Sequence, residues 1–362
     1  MMETKTIREL CDIVVDCPHS TPKWTTSGKI VIRNNNIKKG RIDFSSPSYT
    51  DDEHFNLRVK RAIPRSGDII ITREAPMGEV GMIPERIECC LGQRMVLLRT
   101  NPDICDNYYL LYSLQSKFVQ HQISWSEGTG TTVSNLRIPH LEQLKIPYVP
   151  LKKQRLVASV LKSIEEKIIL NEQINNNLLQ QASSIFKAWF IDPDISEHED
   201  WQMVTLEDIT SLVTRGIAPK YSDESDQIVI NQKCIRDHML DLSPARKHLP
   251  KKINEKWLKK GDLLINSTGQ GTLGRAAQIW FDPVNMTVDS HVTIVRPKNE
   301  KLIYYIGIWG ILHEREIESL HTGSTGQTEL PRDRVKGLEL LLPDENALDQ
   351  FNSVVKPITE FI

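Results

Sequence analysis

From Lys152 to Phe190 apolar residues recur at steps of three and four, in a run without Gly or Pro that begins just after Pro150. Val157, Leu161, Ile164, Ile168, Leu178, Ala182, Ile185 and Trp189 fall on one stripe, and the two steps in its middle carry Asn171 and Asn175. This is the period of a long amphipathic helix. Asparagine in an apolar seam costs stability and fixes register and partner. At about 1.5 Å per residue the helix is roughly 58 Å long, and a single helix cannot bury its own stripe, so the pattern predicts pairing with another. By itself the stretch is equally a plain dimerising coiled coil. Its flanks change that reading.

The segments before and after the helix follow one script twice. Thr6-Ile7-Arg8-Glu9-Leu10 opens the first and Thr205-Leu206-Glu207-Asp208-Ile209 the second. A β-like run then breaks into a polar loop, Val31 to Ile37 and Val229 to Ile235. A Gly-Asp turn leads into a buried strand, Gly67 to Ile71 and Gly261 to Ile265, and another strand ends in Leu98-Arg99 and Val295-Arg296. Paired tyrosines start a helix, Tyr108-Tyr109 and Tyr304-Tyr305. Glycine-threonine loops follow at Gly128 to Thr132 and Gly323 to Thr328, and each copy closes on a short strand and proline, Ile146-Pro147 and Leu342-Pro343. So many matches in one order predict a duplicated domain rather than two unrelated ones.

Beyond Pro343, Leu348, Phe351, Val355, Ile358 and Ile362 again stand at helical spacing, which predicts a second helix about half as long as the first, kinked at Pro357. The predicted class is α+β. Two repeated domains, mainly β with helices, occupy residues 1–150 and 193–343. The long helix takes 151–192 and the short one 344–362, and the helices pair as a coiled coil. The acidic stretch Asp192 to Asp200, broken by Pro193, reads as the way out of the long helix.

Composition narrows the function. Over 362 residues, 39% hydrophobic and 25% charged content describe an ordinary soluble protein, and a net charge of −2 gives no overall basic excess. The six cysteines form no C-x-x-C pair, which suits reduced thiols rather than zinc or a disulfide framework. No signal core or membrane span is visible, so the expectation is a cytoplasmic protein with no membrane partner.

Catalytic motifs are weak. Gly269 to Gly274 matches G-x-G-x-x-G, but the short segment after it, ending at Phe281-Asp282-Pro283, is not the long helix a dinucleotide fold needs. Glu165-Glu166-Lys167 contains an E-x-K, read as a solvated helix face. His313-Glu314-Arg315-Glu316 lacks a second zinc-binding histidine, and no Walker loop or amino-methyltransferase motif is found.

Binding fits better. Residues 20–41 hold Lys23, Lys29, Arg33, Lys38, Lys39 and Arg41 without an acid, and residues 233–260 hold nine Lys or Arg against Asp237, Asp241 and Glu255. One such patch is usually a solvated face. Two, at corresponding places in two repeats and mixed with amides and hydroxyls, point to nucleic acid, because Lys and Arg hold phosphates while Asn, Gln, Arg, Ser and Thr read base edges. The candidate DNA-contacting residues are Lys23, Arg33, Asn34, Asn35, Arg73, Thr131 and Thr132 in the first copy. In the second they are Lys220, Asn231, Gln232, Lys233, Ser267, Thr268, Gln270 and Gln327. No catalytic or metal-binding residue is assigned.

With these residues in view, the chain resembles the specificity subunits of type I DNA restriction-modification enzymes. Ile146 to Arg155, Ile164-Glu165-Glu166-Lys167-Ile168, Asn171 to Asn177 and Phe186-Lys187-Ala188-Trp189-Phe190 look like that family's first helical region, and Asn266 to Gly274 is similar to a loop recurrent in its recognition domains. The resemblance implies that each repeat reads one half of a bipartite target in double-stranded DNA. It also implies that the helices, through Val157, Leu161, Ile164, Ile168, Asn171, Asn175, Leu178, Ile185 and Trp189, set the spacing and dock two methyltransferase subunits. This chain would bind no cofactor. S-adenosylmethionine would sit on the methyltransferase subunits, and ATP and Mg on restriction motor-nuclease subunits able to join. The family's second helix runs about as long as its first, and here it is short. A stand-alone methyltransferase or nuclease and a coiled-coil adaptor without DNA remain as alternatives.

Overall fold

The structure is a computed structural model that describes residues 3–125, 135–193, 200–249, 252–323 and 328–362. The chain divides into two compact units, Met1–Ile169 and Leu170–Ile362.

In the first unit Cys11–Asp16 pairs antiparallel with Met95–Thr100, this with Ile69–Thr72, and this in turn with Val80–Met82. The apolar runs at the centre of this sheet do not alternate with polar residues because both faces are covered. Ile69, Ile71, Val96 and Leu98 meet Leu110, Leu111 and Leu114 of the helix Asn107–Gln115 on one side. Ile70, Met95 and Leu97 meet Ile32, Ile37 and Cys89 on the other. A smaller sheet places Cys89–Leu91 parallel to Lys29–Ile32, followed by Ser48–Thr50 and Trp24–Thr25.

The second unit repeats the scheme. Its main sheet runs Thr210–Arg215, Val292–Pro297, Leu263–Asn266, Ala276–Gln278. Leu263, Ile265 and Val295 face the helix Ile303–Leu312, while Leu264, Val292 and Ile294 face Ile230, Cys234 and Ile235. Its smaller sheet sets Met286–Val288 parallel to Ile228–Ile230, which pairs with Arg246–Lys247. Each unit is closed by pairing its opening strand with its last. Thr4–Thr6 pairs with Lys145–Pro147, and Gln202–Thr205 with Glu339–Leu342. The residue ending each opening strand, Thr6 or Thr205, forms a capping box with Glu9 or Asp208. The duplication read from the sequence is thus a duplication of topology.

The long helix runs Leu151–Phe190. In the first unit Gln154 and Ala158 are its buried positions. The Gln154 amide accepts from Asp106 N at 2.9 Å and donates to Ile104 O and Val149 O at 3.0 and 2.8 Å. Glu165 is no solvated residue, contrary to the reading of E-x-K above: it accepts from Arg41 Nε at 3.1 Å and Tyr112 Oη at 2.6 Å. In the second unit Leu179, Ala182, Phe186 and Phe190 join Leu348, Phe351 and Val355 of the tail helix Glu345–Thr359. Phe351 lies 4.9 Å from Phe190 and 5.8 Å from Phe186, centroid to centroid. The helices therefore pair here, and burying a ring such as Phe351 contributes about 2–3 kcal/mol. Pro357 stands in the last turn of the tail helix, which continues to Thr359.

The predicted stripe is packed only in part. Leu178, Ile185 and Trp189 are half-buried, and half-buried Asn175 donates to Ile362 O at 3.3 Å. Val157, Leu161, Ile164 and Ile168 are exposed, as is Asn171. The row that meets the first unit, Gln154, Ala158 and Glu165, lies further round the helix. A broad apolar arc shows that a helix is amphipathic but not which part of the arc its own domain covers.

Candidate nucleic-acid interface

Three loops meet at the same place in each unit. One follows the smaller-sheet strand Lys29–Ile32 or Ile228–Ile230, one follows the strand after the Gly-Asp turn, and one is the turn entering the long strand of the main sheet. In the first unit Asn34–Asn36 is a 3-10 turn, and the Asn34 side chain donates to Glu74 O at 2.6 Å. Arg73 N donates to Arg94 O at 2.8 Å, and Arg94 Nε lies 3.1 Å from the Glu74 carboxylate. Arg33, Asn34, Asn35, Ala75, Gln93, Arg94 and Trp24 line a cavity of about 380 Å³.

The second unit holds its loops by the equivalent backbone bond, Ser267 N to His291 O at 2.8 Å. Here Thr268 Oγ1 reaches Gln232 Oε1 at 3.2 Å and His291 Nδ1 at 2.8 Å, and Asn266 Nδ2 donates to Gln232 O at 3.0 Å. Buried Asp289 accepts from His291 N at 2.9 Å, and burial pushes its carboxyl above the usual range. The Gly269–Gly274 motif is a turn leading to the strand Ala276–Gln278, not to a helix. Its glycines serve close approach and left-handed backbone. A Cβ on Gly269 (φ +104°) would meet Gln232 Oε1 at 2.8 Å, and one on Gly274 (φ +82°) would meet the Glu318 backbone at 2.9 Å.

The sequence candidates separate into groups. Lys23, Arg33, Asn35, Lys220, Lys233 and Gln270 are exposed, and Gln232 and Thr268 are half-buried at the loop junction. Four candidates brace the loops instead of facing outward. Arg73 bonds both Asp16 carboxylate oxygens at 3.0 and 3.1 Å, Leu136 O at 2.9 Å and Asn135 Oδ1 at 3.2 Å, which occupies its fork. Ser267 is fully buried, with its hydroxyl 2.6 Å from Thr293 Oγ1. Asn231 caps its turn by accepting from Lys233 N at 2.9 Å and donates to Pro244 O at 2.8 Å. Asn34 is tied to Glu74 as above. Thr131, Thr132 and Gln327 lie outside the described residues.

Trp24, Gln93, Arg94 and His291 belong to the site and were missed. Aligning the turns Leu91-Gly92-Gln93-Arg94-Met95 and Val288-Asp289-Ser290-His291-Val292 between the repeats was the signal that could have found the last three. The surface offers donors, acceptors and cations. Burial pushes the Cys90 thiol up to about 11 and the Cys89 thiol up to about 12, so these cysteines are packing groups. Among the described residues no group of three or more His, Cys, Asp or Glu is placed to hold a metal ion, and no helix is long and apolar enough to cross a membrane.

Fold and site define a tandem of two α+β domains, each presenting a braced polar loop cluster. Residues 2–180 and 198–352 match the family described as type I restriction modification DNA specificity domain, and the chain belongs to it. The type I restriction enzyme MjaIX specificity subunit of Methanocaldococcus jannaschii is 22% identical over 372 residues, covering 96% of this chain and 81% of that protein. The putative type I restriction enzyme MjaX specificity subunit of the same organism is 27% identical over 221 residues, covering 55% and 51%. Among solved structures, the type I restriction-modification system S subunit from M. genitalium covers 99% of this chain and 93% of its own, with a TM-score of 0.54 and 16% identity, a likeness of fold.

Proposed function

We propose that the chain is the DNA-recognition subunit of a type I restriction-modification system and that it is not itself a catalyst. Each unit reads one half of a bipartite target in double-stranded DNA. The observation that carries this reading is the repeated loop cluster, built twice on the same strands and joined by the same backbone bond, Arg73 N to Arg94 O and Ser267 N to His291 O. Lys23, Lys220 and Lys233 hold phosphates, while Asn35, Gln232, Thr268 and Gln270 reach base edges. Family membership and the duplicated site favour this over a stand-alone enzyme or an adaptor without DNA.

The long helix sets the gap between half-sites. The exposed apolar positions Val157, Leu161, Ile164 and Ile168 support a second role, docking partner subunits. The methyltransferase partners bring S-adenosylmethionine, and a motor-nuclease, where one joins, brings ATP and Mg. Adenine-methylation mapping of host DNA with and without this chain tests the proposal. A split motif that disappears with the chain is expected, together with no methylation or cleavage by the purified chain alone. Turnover by the purified chain, or an unchanged methylome, would overturn it.

A further inference from the structure

Among the described residues, each unit carries one exposed aromatic ring with an arginine guanidinium over its face. Trp24 is 46% exposed, and the Arg33 guanidinium carbon lies 5.2 Å from its ring centroid. Tyr221 is 40% exposed, and that of Arg246 lies 3.7 Å from its centroid. The rings hold equivalent places. Trp24 pairs with Thr50 beside the strand Ser48–Thr50, and Tyr221 pairs with His248 beside its counterpart Arg246–Lys247.

The arginines do not hold equivalent places. Arg33 follows Lys29–Ile32, whereas Arg246 lies on the neighbouring strand, opposite Val229. The same assembly is thus built from different chain positions, so a shared packing need inherited by duplication does not account for it. Both arginines are exposed, and among the described residues neither guanidinium has a hydrogen-bond or carboxylate partner. A ring under a guanidinium orders the long side chain before binding, which lowers the cost of fixing it. The fork keeps its N–H edge, and that edge fits guanine O6 and N7 in the major groove. Arg33 and Trp24 open on the same cavity as Asn35, Gln93 and Arg94.

We infer that Trp24–Arg33 and Tyr221–Arg246 are guanine-reading pairs, one for each half-site, in which the ring positions the arginine for a bidentate contact. This rests on the DNA-reading function proposed above and is narrower than it.

The test is adenine-methylation mapping in the native host carrying the full-length chain or its variants, with chain levels matched by immunoblot. The wild-type motif contains a guanine in each half. Arg33→Lys relaxes one guanine position in one half about tenfold and leaves the other half intact, and Arg246→Lys does the reverse. Trp24→Leu reproduces Arg33→Lys, whereas Trp24→Phe, which keeps a ring, retains the motif. If both lysine variants lower methylation at all sites alike with the motif unchanged, the arginines are phosphate anchors and the inference falls. A wild-type motif without guanine in either half overturns it while leaving DNA reading intact. A methylome indifferent to the wild-type chain removes both.

Discussion

Asp68 holds Arg99 with both carboxylate oxygens, at 2.8 and 2.7 Å, and Asp262 holds Arg296 in the same way, both at 2.7 Å. The aspartates are almost fully buried, and each also accepts a backbone N–H three residues upstream, from Arg65 or Lys259. The Gly-Asp turn of each repeat is therefore pinned to the strand that ends in arginine. Removing the aspartate leaves a half-buried arginine charge unpaired, so Asp68→Ala should cost the first unit about 3 kcal/mol and Asp262→Ala the second a similar amount. Hydrogen exchange read unit by unit checks this. Equal loosening of both units by either variant would contradict it.

Phe351 sits among Phe186, Phe190 and Trp189. Phe351→Ala should cost about 3–5 kcal/mol and loosen the tail helix first. Exchange at residues 345–359 should rise before that in the main sheet of the second unit.

His238 Nδ1 lies 3.1 Å from Glu314 Oε1, and this bond, opposed by partial burial, raises the His238 pKa above its ordinary value. A raised folded-state pKa gives stability that is fully present below the unfolded value, about 6.5, and is lost as pH rises through the folded one. The wild type should therefore exceed His238→Gln in stability by more at about pH 5.5 than at about pH 8.5. Denaturant midpoints at the two pH values measure it, and an equal gap at both would remove the pair as the cause.

Bracing and contacting residues should behave differently. Arg73→Ala breaks the Asp16 pairing and should lower the stability of the first unit. Gln232→Ala should change one half-site and spare the other. Lys23→Ala, Lys220→Ala and Lys233→Ala should each weaken binding to all sequences and reduce the salt slope by about 1. Full-length chain titrated on duplexes at several salt concentrations separates these outcomes.

Seven residues inserted after Ile169, where neighbouring side chains are exposed, keep the helical face and add roughly 10 Å. The expected methylation motif has the same half-sites with a gap about three base pairs wider. An active insertion variant with an unchanged gap would leave the helix only its docking role.

The long helix and the repeat were legible because each rests on many residues: the helix was expected from Lys152 and begins at Leu151. The buried ion pairs were not. Arg99 and Arg296 read as strand ends, since a pairing across strands leaves no local period. Ser267 and Arg73 looked like contacts because residue type reports what a side chain can bond, not which way it faces. Trp24 and Tyr221 were missed because their arginines come from non-equivalent positions, and only the sheets bring them together. The row of the long helix that meets the first unit was not legible, because Gln154 and Glu165 meet it through hydrogen bonds, which a count of apolar residues overlooks.

Where Thr4–Thr6 lies against Lys145–Pro147, and Gln202–Thr205 against Glu339–Leu342, the chain enters and leaves each unit side by side. A unit with adjacent ends can be removed or replaced without altering the path of the chain around it. On the proposed reading, genetic exchange between two such genes, crossing over within these clasping strands, would transplant one half of the target sequence whole. New specificities can then arise by recombination of cassettes, without passing through a series of half-working point mutants.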